Sequence, residues 1–420
     1  MLSTYLYYIK KDDAIEMKND AVIIGAGHAG GMTAISLRQR QYQGSITLIG
    51  EENFLPYQRP ALSKGFLAGE IEEKRLYLKS QDYFDKNNIR IIRNCKVVAI
   101  DRNNKTILLE NQKQLGYEKL VIATGSIVNK LKTSSRGTDL YYLRTIRDSL
   151  KIREKLRSKN KITIIGAGYI GLEIASIATK KNLEVSVLEL ENRVMGRVVS
   201  AEVSDFFQKK HQSEGVVFKF NASITDIEDR GKQKRIIFSD GSFLNTDVVV
   251  IGVGIKPNIE LAISSGLKCD NGILVDVNGQ TSDPHIFAVG DCSNHPNNIF
   301  KQRLRLESVQ NAVEQAKSIA ASIAGTHKPY QKVPWFWSDQ YNIKLQIAGV
   351  SQDHDRRVIR GFPEEEKFAV FYQKEKRLIA VDAINSPKEF MVGKKWIAMQ
   401  AKISFELIRN MDIDLKKIVG

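Results

Sequence analysis

The stretch AVIIGAGHAGG, residues 21–31, decides the fold because it joins a short apolar segment to a glycine-rich turn. The apolar segment, residues 21–24, predicts a buried strand, and the spaced glycines predict a sharp turn into a helix. Gly25 makes the tight turn, Gly27 lets backbone amides approach a pyrophosphate, and Gly30 lets the helix pack closely against the sheet. The pattern therefore predicts a strand, turn and helix that hold a dinucleotide.

A second copy of this pattern, KITIIGAGYIGLEIA, occupies residues 161–175. One GxGxxG motif is weak evidence, because such turns also occur for packing reasons. Here each copy follows a β-branched strand, and about 20 residues later a further strand ends in an acid, Glu51 or Glu189, that can bind an adenosine ribose. Two such sites in one chain indicate a tightly held flavin and an exchanging nicotinamide, between which a hydride can pass.

Glu189 also predicts which nicotinamide is used. A carboxylate at this position repels a 2′-phosphate, which favours NADH. Arg193 and Arg197 follow closely and could favour a phosphate, so NADPH stays open as the alternative.

The segment TSDPHIFAVGDC, residues 281–292, predicts a strand that leaves Asp291 at the carboxyl edge of a sheet, where α/β proteins bind ligands. Asp291 could hold the polyol hydroxyls of a flavin, or it could serve only as the cap of the next turn. An amphipathic helix is predicted to begin at Val309 and to end at Gly325. The positive N-terminal end of its dipole could point at a flavin carbonyl. The aromatic residues 335–337 are by default core residues.

The order of these patterns predicts an α/β fold with two Rossmann-like dinucleotide-binding domains and a small α+β C-terminal domain. The nicotinamide unit is expected to be inserted in the flavin unit. Residues 1–16 are expected to be an extension, either disordered or the product of a misassigned start. The expected domains are residues 17–124 and 253–330 for FAD, 125–252 for NAD and 331–420 for the C-terminal domain.

Composition limits the function classes. No apolar run approaches the roughly 20 residues that cross a bilayer, and no signal peptide is recognisable, so a cytoplasmic protein without membrane contact is expected. Cys95, Cys269 and Cys292 fit no metal, haem or thioredoxin spacing, and we expect structural thiols and no metal site. The net charge of +15 favours acidic partners, nucleic acid or anionic membrane, unless it only reflects lysines spread over solvated faces.

Several segments together resemble a known family, the FAD-dependent, NADH-using ferredoxin reductases of bacterial oxygenase systems. They are, in chain order, GAGHAG, LPYQRPALSKGFL, LVIATGS, YYLRTIRD, GAGYIGLEIA, TSDPHIFAVGDC, RLESVQNAVEQA and PWFWSDQY. The resemblance runs from about residue 21 to at least residue 383. It implies a glutathione-reductase-like fold with FAD, NAD and C-terminal domains. It also implies that hydride from NADH enters FAD and leaves as single electrons to a 2Fe-2S ferredoxin that feeds an oxygenase.

The resemblance also implies the site residues. Tyr169 and Trp337 would lie near the flavin ring, and Ala61 departs from the proline usual in the family. For Lys64, near the reactive flavin nitrogen, a carboxylate partner is expected because a lone buried ammonium is costly, and Glu173 is the candidate. Arg59 is expected over other parts of the flavin. The FAD site would use Gly25, Gly27, Gly30, Glu51, Arg59, Lys64, Val97, Arg144, Asp291 and Val309, and the NAD site Gly166, Gly168, Tyr169, Ile170, Gly171 and Glu189.

The segment LPYQRPALSK, residues 55–64, holds no cysteine, although related flavoenzymes carry redox-active thiols there. Electrons are therefore expected to leave FAD directly. The alternatives are a rubredoxin reductase, an NADH oxidase or disulfide reductase that would need a thiol such as Cys95, and a nucleic-acid-binding flavoprotein supported only by charge. An acidic ferredoxin is expected on a basic rim formed by Lys79, Arg303, Arg305 and Lys317, without specific nucleic-acid binding.

Overall fold

The computed structural model describes residues 16–134 and 140–418. The predicted extension therefore lies outside the described residues except for its last one, Glu16, which begins the first strand. As far as residue 142 the elements are β1 (Glu16–Ile24), α1 (His28–Gln39), β2 (Ile46–Ile49), α2 (Gly65–Ala68), α3 (Gln81–Lys86), β3 (Ile89–Ile92), β4 (Val97–Asp101), β5 (Thr106–Leu109), β6 (Gln114–Ile122), β7 (Ser126–Val128) and β8 (Leu140–Tyr142).

The middle of the chain carries the second glycine motif and the return to the first sheet. Its elements are α4 (Ile146–Ser158), β9 (Lys161–Ile165), α5 (Tyr169–Lys180), β10 (Glu184–Leu188), α6 (Ala201–Ser213), β11 (Val217–Lys219), β12 (Ile224–Arg230), β13 (Gln233–Phe238), β14 (Phe243–Thr246), β15 (Val248–Ile251), β16 (Ile255–Pro257), α7 (Glu260–Ser264), β17 (Ile273–Leu274), β18 (Ile286–Ala288), β19 (Ser293–Asn297), β20 (Gln302–Leu304) and α8 (Val309–Ile323).

The last part of the described chain forms one sheet and two helices. Its elements are β21 (Trp335–Gln340), β22 (Ile343–Gly349), β23 (Arg356–Phe362), β24 (Lys367–Lys374), β25 (Arg377–Ile384), α9 (Pro387–Ala398) and α10 (Phe405–Arg409).

The first sheet has the order β3-β2-β1-β6-β5-β4, and β18 pairs in parallel with the end of β6. Residues 21–24 are buried because the sheet is covered on both faces at this strand: Ala21 and Ile23 pack with α1 and α8, whereas Val22 and Ile24 lie in the cluster that includes Ala262 of α7 and Ile273 of β17. The first strand begins at Glu16 rather than at residue 21, because its backbone continues to pair with β6 at Leu115 and Tyr117. The return of β18 brings Asp291 to the carboxyl edge of this sheet, beside the first glycine turn.

The second sheet, β11-β10-β9-β15-β8, is parallel throughout and contains the strand of the second glycine motif. The chain enters and leaves this unit through β7 and β16, which pair with each other as an antiparallel ribbon. This arrangement supports the expected insertion of one nucleotide-binding unit in the other, while the exact domain boundaries stay predictions.

The C-terminal sheet, β21-β22-β25-β24-β23, is antiparallel. Strand alternation gives it two apolar faces. Phe371 and Val381 pack with Trp396 of α9, whereas Val370 and Tyr372 pack into the core of the second nucleotide-binding unit. The protein is thus a mixed α/β structure with the predicted small C-terminal domain packed on the nucleotide-binding units. Within the described ranges, none of the helices combines the length and apolar character that crossing a membrane requires.

Candidate active site

The first glycine turn joins β1 to α1. Gly25 has a φ of +107°, and a Cβ at this position would lie 2.2 Å from the carbonyl oxygen of Ala123, so only glycine fits. A Cβ at Gly30 would lie 1.9 Å from the carbonyl oxygen of Gly25. No side chain caps α1 at Gly27, so its first amides remain available to an anion.

The second glycine turn repeats this geometry between β9 and α5. A Cβ at Gly171 would lie 2.1 Å from the carbonyl oxygen of Gly166, and the space around Gly168 is open to 4 Å. The carboxylate of Glu189 accepts hydrogen bonds from the amides of Ala167, at 2.7 Å, and Glu191, at 3.0 Å. It is thus held at the loop where a ribose would bind.

Arg193, which could have favoured a phosphate, is engaged elsewhere. Its guanidinium donates to the carbonyl oxygens of Gly196 at 2.6 Å, Val199 at 3.0 Å and Ser200 at 3.2 Å. This geometry removes Arg193 from the NADPH alternative, whereas Arg197 is exposed and leaves that alternative open.

Arg59 is the centre of a polar cluster beside the first glycine turn. It forms an ion pair with Glu52 at 2.8 Å, and it donates to the Tyr57 hydroxyl at 2.9 Å and to the carbonyl oxygen of Arg144. The Tyr57 hydroxyl donates in turn to Glu52 at 2.8 Å. The sequence analysis missed Glu52 and Tyr57, although Glu52 follows the selected Glu51 directly.

Asp291 lies in a second polar cluster at the same sheet edge. Arg144 pairs with its carboxylate at 3.2 Å, and the Ser126 hydroxyl donates to it at 3.2 Å. His28 is close enough to be affected by both charges: burial and then Arg59 lower its pKa to about 4, while Asp291 opposes this. His28 is therefore neutral at physiological pH.

These residues fit a bound FAD. The His28 Nδ1 atom is buried close to Arg59 and Asp291 and finds no hydrogen-bond partner among the described residues. Buried polar atoms are normally hydrogen-bonded, so this atom indicates a missing polar ligand. The uncapped helix start at Gly27 and the carboxylate of Asp291 supply the two further groups that a pyrophosphate and a polyol chain require.

Lys64 and Glu173 meet as the sequence analysis predicted. Their charged atoms are 2.8 Å apart, although the residues belong to different nucleotide-binding units. Glu173 also accepts hydrogen bonds from Ser63 and, at 2.6 Å, from Ser338 of β21. Burial raises the pKa of Glu173, and the Lys64 ammonium and the two hydroxyls oppose that rise. The contact is confirmed, while its part in the chemistry stays a prediction.

Tyr169 begins α5 and packs against an aromatic ring of β21. Its partner is Phe336, with ring centroids 4.5 Å apart and an edge-to-face angle of 68°. Trp337 extends from the opposite face of the strand and packs beside Trp335, with centroids 5.7 Å apart. The sequence selected Trp337 and missed Phe336, because the motif does not reveal which face of β21 meets α5. A contact of Trp337 with FAD stays a prediction.

The remaining predicted site residues occupy varied positions. Val97 is buried in β4, so only its backbone is available to a ligand. Val309 is the first residue of α8, after the capping Ser308. Glu51 and Ile170 are exposed, and Ile170 follows Tyr169 at the start of α5. Their contacts with the nucleotides stay predictions.

All three cysteines are free thiols. Cys95 and Cys292 are buried and Cys269 is half-buried, and burial raises the pKa of each thiol. Thiols of this kind are poor nucleophiles, because the thiolate is the reactive form. The arrangement disfavours the thiol-dependent alternatives.

The four cations of the expected basic rim are partly engaged. Arg305 pairs with Glu307, and Lys317 pairs with Glu314 at 2.7 Å. Arg303 donates to the backbone carbonyl of Val275 at 2.7 Å, and the Lys79 ammonium lies over the ring of Tyr83. The positive charge of this rim is therefore smaller than the sequence suggests.

Comparison with known proteins gives the same fold. The family model for pyridine nucleotide-disulphide oxidoreductases matches residues 19–316, and a model for the reductase C-terminal domain matches residues 335–419. Putidaredoxin reductase of Pseudomonas putida is 38% identical over 409 residues, covering 96% of this chain and 97% of that protein. A rubredoxin-NAD(+) reductase of Pseudomonas putida is 39% identical over 369 residues, covering 87% and 96%.

Two solved structures superimpose closely on this chain. The ferredoxin reductase from Rhodopseudomonas palustris has a TM-score of 0.93 and 40% identity, covering 96% of this chain and 100% of that one. Putidaredoxin reductase in its covalent complex with putidaredoxin has a TM-score of 0.93 and 37% identity, covering 96% and 99%.

Proposed function

The chain belongs to the pyridine nucleotide-disulphide oxidoreductase family, and from that premise we propose that it is a ferredoxin reductase that takes hydride from NADH and passes single electrons to a 2Fe-2S ferredoxin. Its cofactors are FAD and a nicotinamide nucleotide. When bound, FAD can accept a hydride and release its two electrons one at a time.

The observation that carries this proposal is the Lys64–Glu173 pair in a segment without cysteine. Related enzymes with a thiol pair would need it near residues 55–64, where this chain has an ion pair between its two nucleotide-binding units at 2.8 Å. Lys64 would favour negative charge on reduced flavin, and Glu173 would hold the ammonium in place. Electrons then leave toward a one-electron acceptor without a thiol relay.

The binding roles follow from the two glycine turns. The free amides at Gly27 and Gly168 would bind the pyrophosphates of FAD and NADH. Arg59 would border the first pyrophosphate, and Asp291 would accept hydrogen bonds from the flavin polyol chain. Glu189, held against its own loop, would accept from the adenosine ribose and exclude a 2′-phosphate, which supports NADH over NADPH.

Two variants test the chemical role of the pair. Lys64→Ala should slow flavin reduction by NADH in a stopped-flow experiment, and Glu173→Ala should share the defect. A matched control is Lys161→Ala, which breaks an exposed ion pair with Glu184 away from the site. Wild-type rates for both site variants would contradict the assigned roles.

An acidic ferredoxin is the proposed partner. The chain carries a net charge of +15, and electrostatic steering raises the association rate of oppositely charged proteins. Turnover with a ferredoxin should therefore decline as ionic strength rises. Lys79 is the strongest candidate of the four rim residues, because Arg305 and Lys317 already pair with carboxylates.

Rubredoxin is the second candidate acceptor, since a rubredoxin-NAD(+) reductase is among the similar proteins. NADH-dependent reduction of cytochrome c, measured with no carrier, with ferredoxin and with rubredoxin, separates the candidates. We expect a strong rate only with ferredoxin. A rate that needs rubredoxin instead would reassign the acceptor, and a rate independent of any carrier would overturn the proposal.

A further inference from the structure

A chain of hydrogen bonds between buried polar side chains connects Glu173 to His211 of α6. The Ser338 hydroxyl donates to Glu173 Oε1 at 2.6 Å, and Gln340 Nε2 donates to Ser338 Oγ at 3.2 Å. Gln340 Oε1 then meets His211 Nε2 at 2.8 Å. Ser338, Gln340 and His211 are each 1% exposed or less, and Glu173 is 3% exposed.

The chemistry of these groups gives this chain of hydrogen bonds a direction. A Gln Oε1 atom can only accept, so His211 Nε2 must carry the hydrogen and its Nδ1 must accept. The Tyr341 hydroxyl lies 3.1 Å from Nδ1 and therefore donates to it. Every hydrogen in these bonds thus points toward Glu173, an arrangement in which successive hydrogen bonds strengthen one another.

His211 fixes this direction. Burial lowers its pKa to about 4, so the ring is neutral and keeps one donor and one acceptor. Lys210 on the same helix and Glu214, directly after its end, are the charged groups that act on it, and Gln340, Tyr341 and Phe218 face it from other elements. Without the His211 donor, the side-chain amide of Gln340 is free to flip, and its oxygen would then compete with Glu173 for the hydrogen of Ser338.

We propose that His211 is a positioning residue for hydride transfer: through Gln340 and Ser338 it keeps the Glu173 carboxylate charged, and so keeps Lys64 in place. The inference rests on the proposed function for its use in catalysis. The effect on Glu173 itself is measurable in the oxidised, FAD-loaded protein without NADH or ferredoxin, so a failed ferredoxin assay would leave it standing.

The test is a pH titration of the Glu173 carboxyl by infrared difference spectroscopy, with its band identified by loss in Glu173→Gln. Removing a hydrogen bond from a carboxylate raises its pKa. Ser338→Ala should move the midpoint upward by about one pH unit, the size expected for one charged hydrogen bond. His211→Leu and Gln340→Met should move it by about half a unit, since they act through Ser338.

His211→Gln is the matched rescue, because a glutamine amide can replace the Nε2 donor, and its midpoint should equal that of the wild type. Tyr372→Phe removes a buried hydrogen bond of 2.6 Å to Asp382 on the same sheet and should leave the Glu173 midpoint unchanged. The flavin-reduction rate should decline at low pH, and the midpoint of this decline should shift in the same order among the variants as the Glu173 midpoint. Nitrogen NMR should show the Nε2–H tautomer of His211 in the wild type.

Two outcomes overturn the proposal. One is a wild-type Glu173 midpoint in both His211→Leu and Gln340→Met. The other is an equal shift in His211→Leu, His211→Gln and Tyr372→Phe, since this would mean that any loss of packing perturbs Glu173. If His211→Leu does not fold, Gln340→Met with its control decides the question alone.

Discussion

Exchanging Lys64 for methionine and Glu173 for glutamine, singly and together, measures what the ion pair between the two nucleotide-binding units contributes. Two unit charges 2.8 Å apart attract by about 6 kcal/mol at an effective dielectric constant of about 20. The burial cost of each ion cancels in the double-mutant cycle, but relaxation and water entry around a charge left alone reduce the measured coupling to the range of about 0.5–3 kcal/mol found for residues in contact. We therefore expect a coupling free energy of about 2 kcal/mol between the two substitutions.

The two single variants should differ in their cost. The Glu173 side chain is 4% exposed and the Lys64 side chain 19% exposed, so a carboxylate left alone is harder to solvate than an ammonium left alone. Lys64→Met should lower the free energy of unfolding by about 3 kcal/mol, and Glu173→Gln by about 1 kcal/mol. The double variant should be less destabilised than the sum of the two.

The assay is urea denaturation of the FAD-loaded protein, followed by tryptophan fluorescence at fixed FAD concentration. The control cycle uses Lys161 and Glu184, which pair at 3.0 Å on the surface and should couple by less than about 1 kcal/mol. A coupling below about 0.5 kcal/mol for Lys64 and Glu173, or a larger loss from Glu173→Gln than from Lys64→Met, would refute the reasoning.

Three further predictions concern the nucleotide, the C-terminal sheet and the thiols. Glu189→Ser should raise the KM for NADH about tenfold or more, which corresponds to the loss of one charged hydrogen bond, and should lower the ratio of kcat/KM for NADH to that for NADPH. Steady-state kinetics with both nucleotides measure this ratio, and an unchanged ratio would contradict the role of Glu189. Burial raises the pKa of Asp382 to about 7, above its unfolded value, so the folded state binds the extra proton between about pH 4 and 7 and loses stability as pH rises through this window. Asp382→Asn should remove that decline, up to about 4 kcal/mol, in unfolding experiments across pH, and a persisting slope would assign it to another group. A thiol-alkylating reagent should leave ferredoxin-dependent turnover unchanged, since burial raises the pKa of all three thiols, whereas inactivation would revive a thiol relay.

The glycine turns were predictable because they depend on local geometry. The φ of Gly25 and the close approach at Gly30 follow from a motif of a few residues. The Lys64–Glu173 pair was predictable for an electrostatic reason: an ammonium in a cleft needs a carboxylate, and few carboxylates were candidates near the second glycine motif.

Contacts that depend on register could not be predicted. The contact of Phe336 with Tyr169 was not predicted, because it depends on which face β21 turns toward α5, and a shift of one residue in register would exchange the two faces. Ser338 reaches Glu173 for the same reason. Glu52 was missed because its partner Arg59 is brought to it only when the segment after β2 folds back.

The most direct test of one-electron transfer to a ferredoxin is an anaerobic titration of a 2Fe-2S ferredoxin with NADH in the presence of catalytic amounts of the FAD-loaded protein. NADH carries two electrons and each cluster accepts one, so we predict two reduced ferredoxin molecules for each NADH consumed, with or without prior alkylation of thiols. Consumption of NADH without cluster reduction, or cluster reduction that alkylation abolishes, would contradict direct transfer from FAD to ferredoxin.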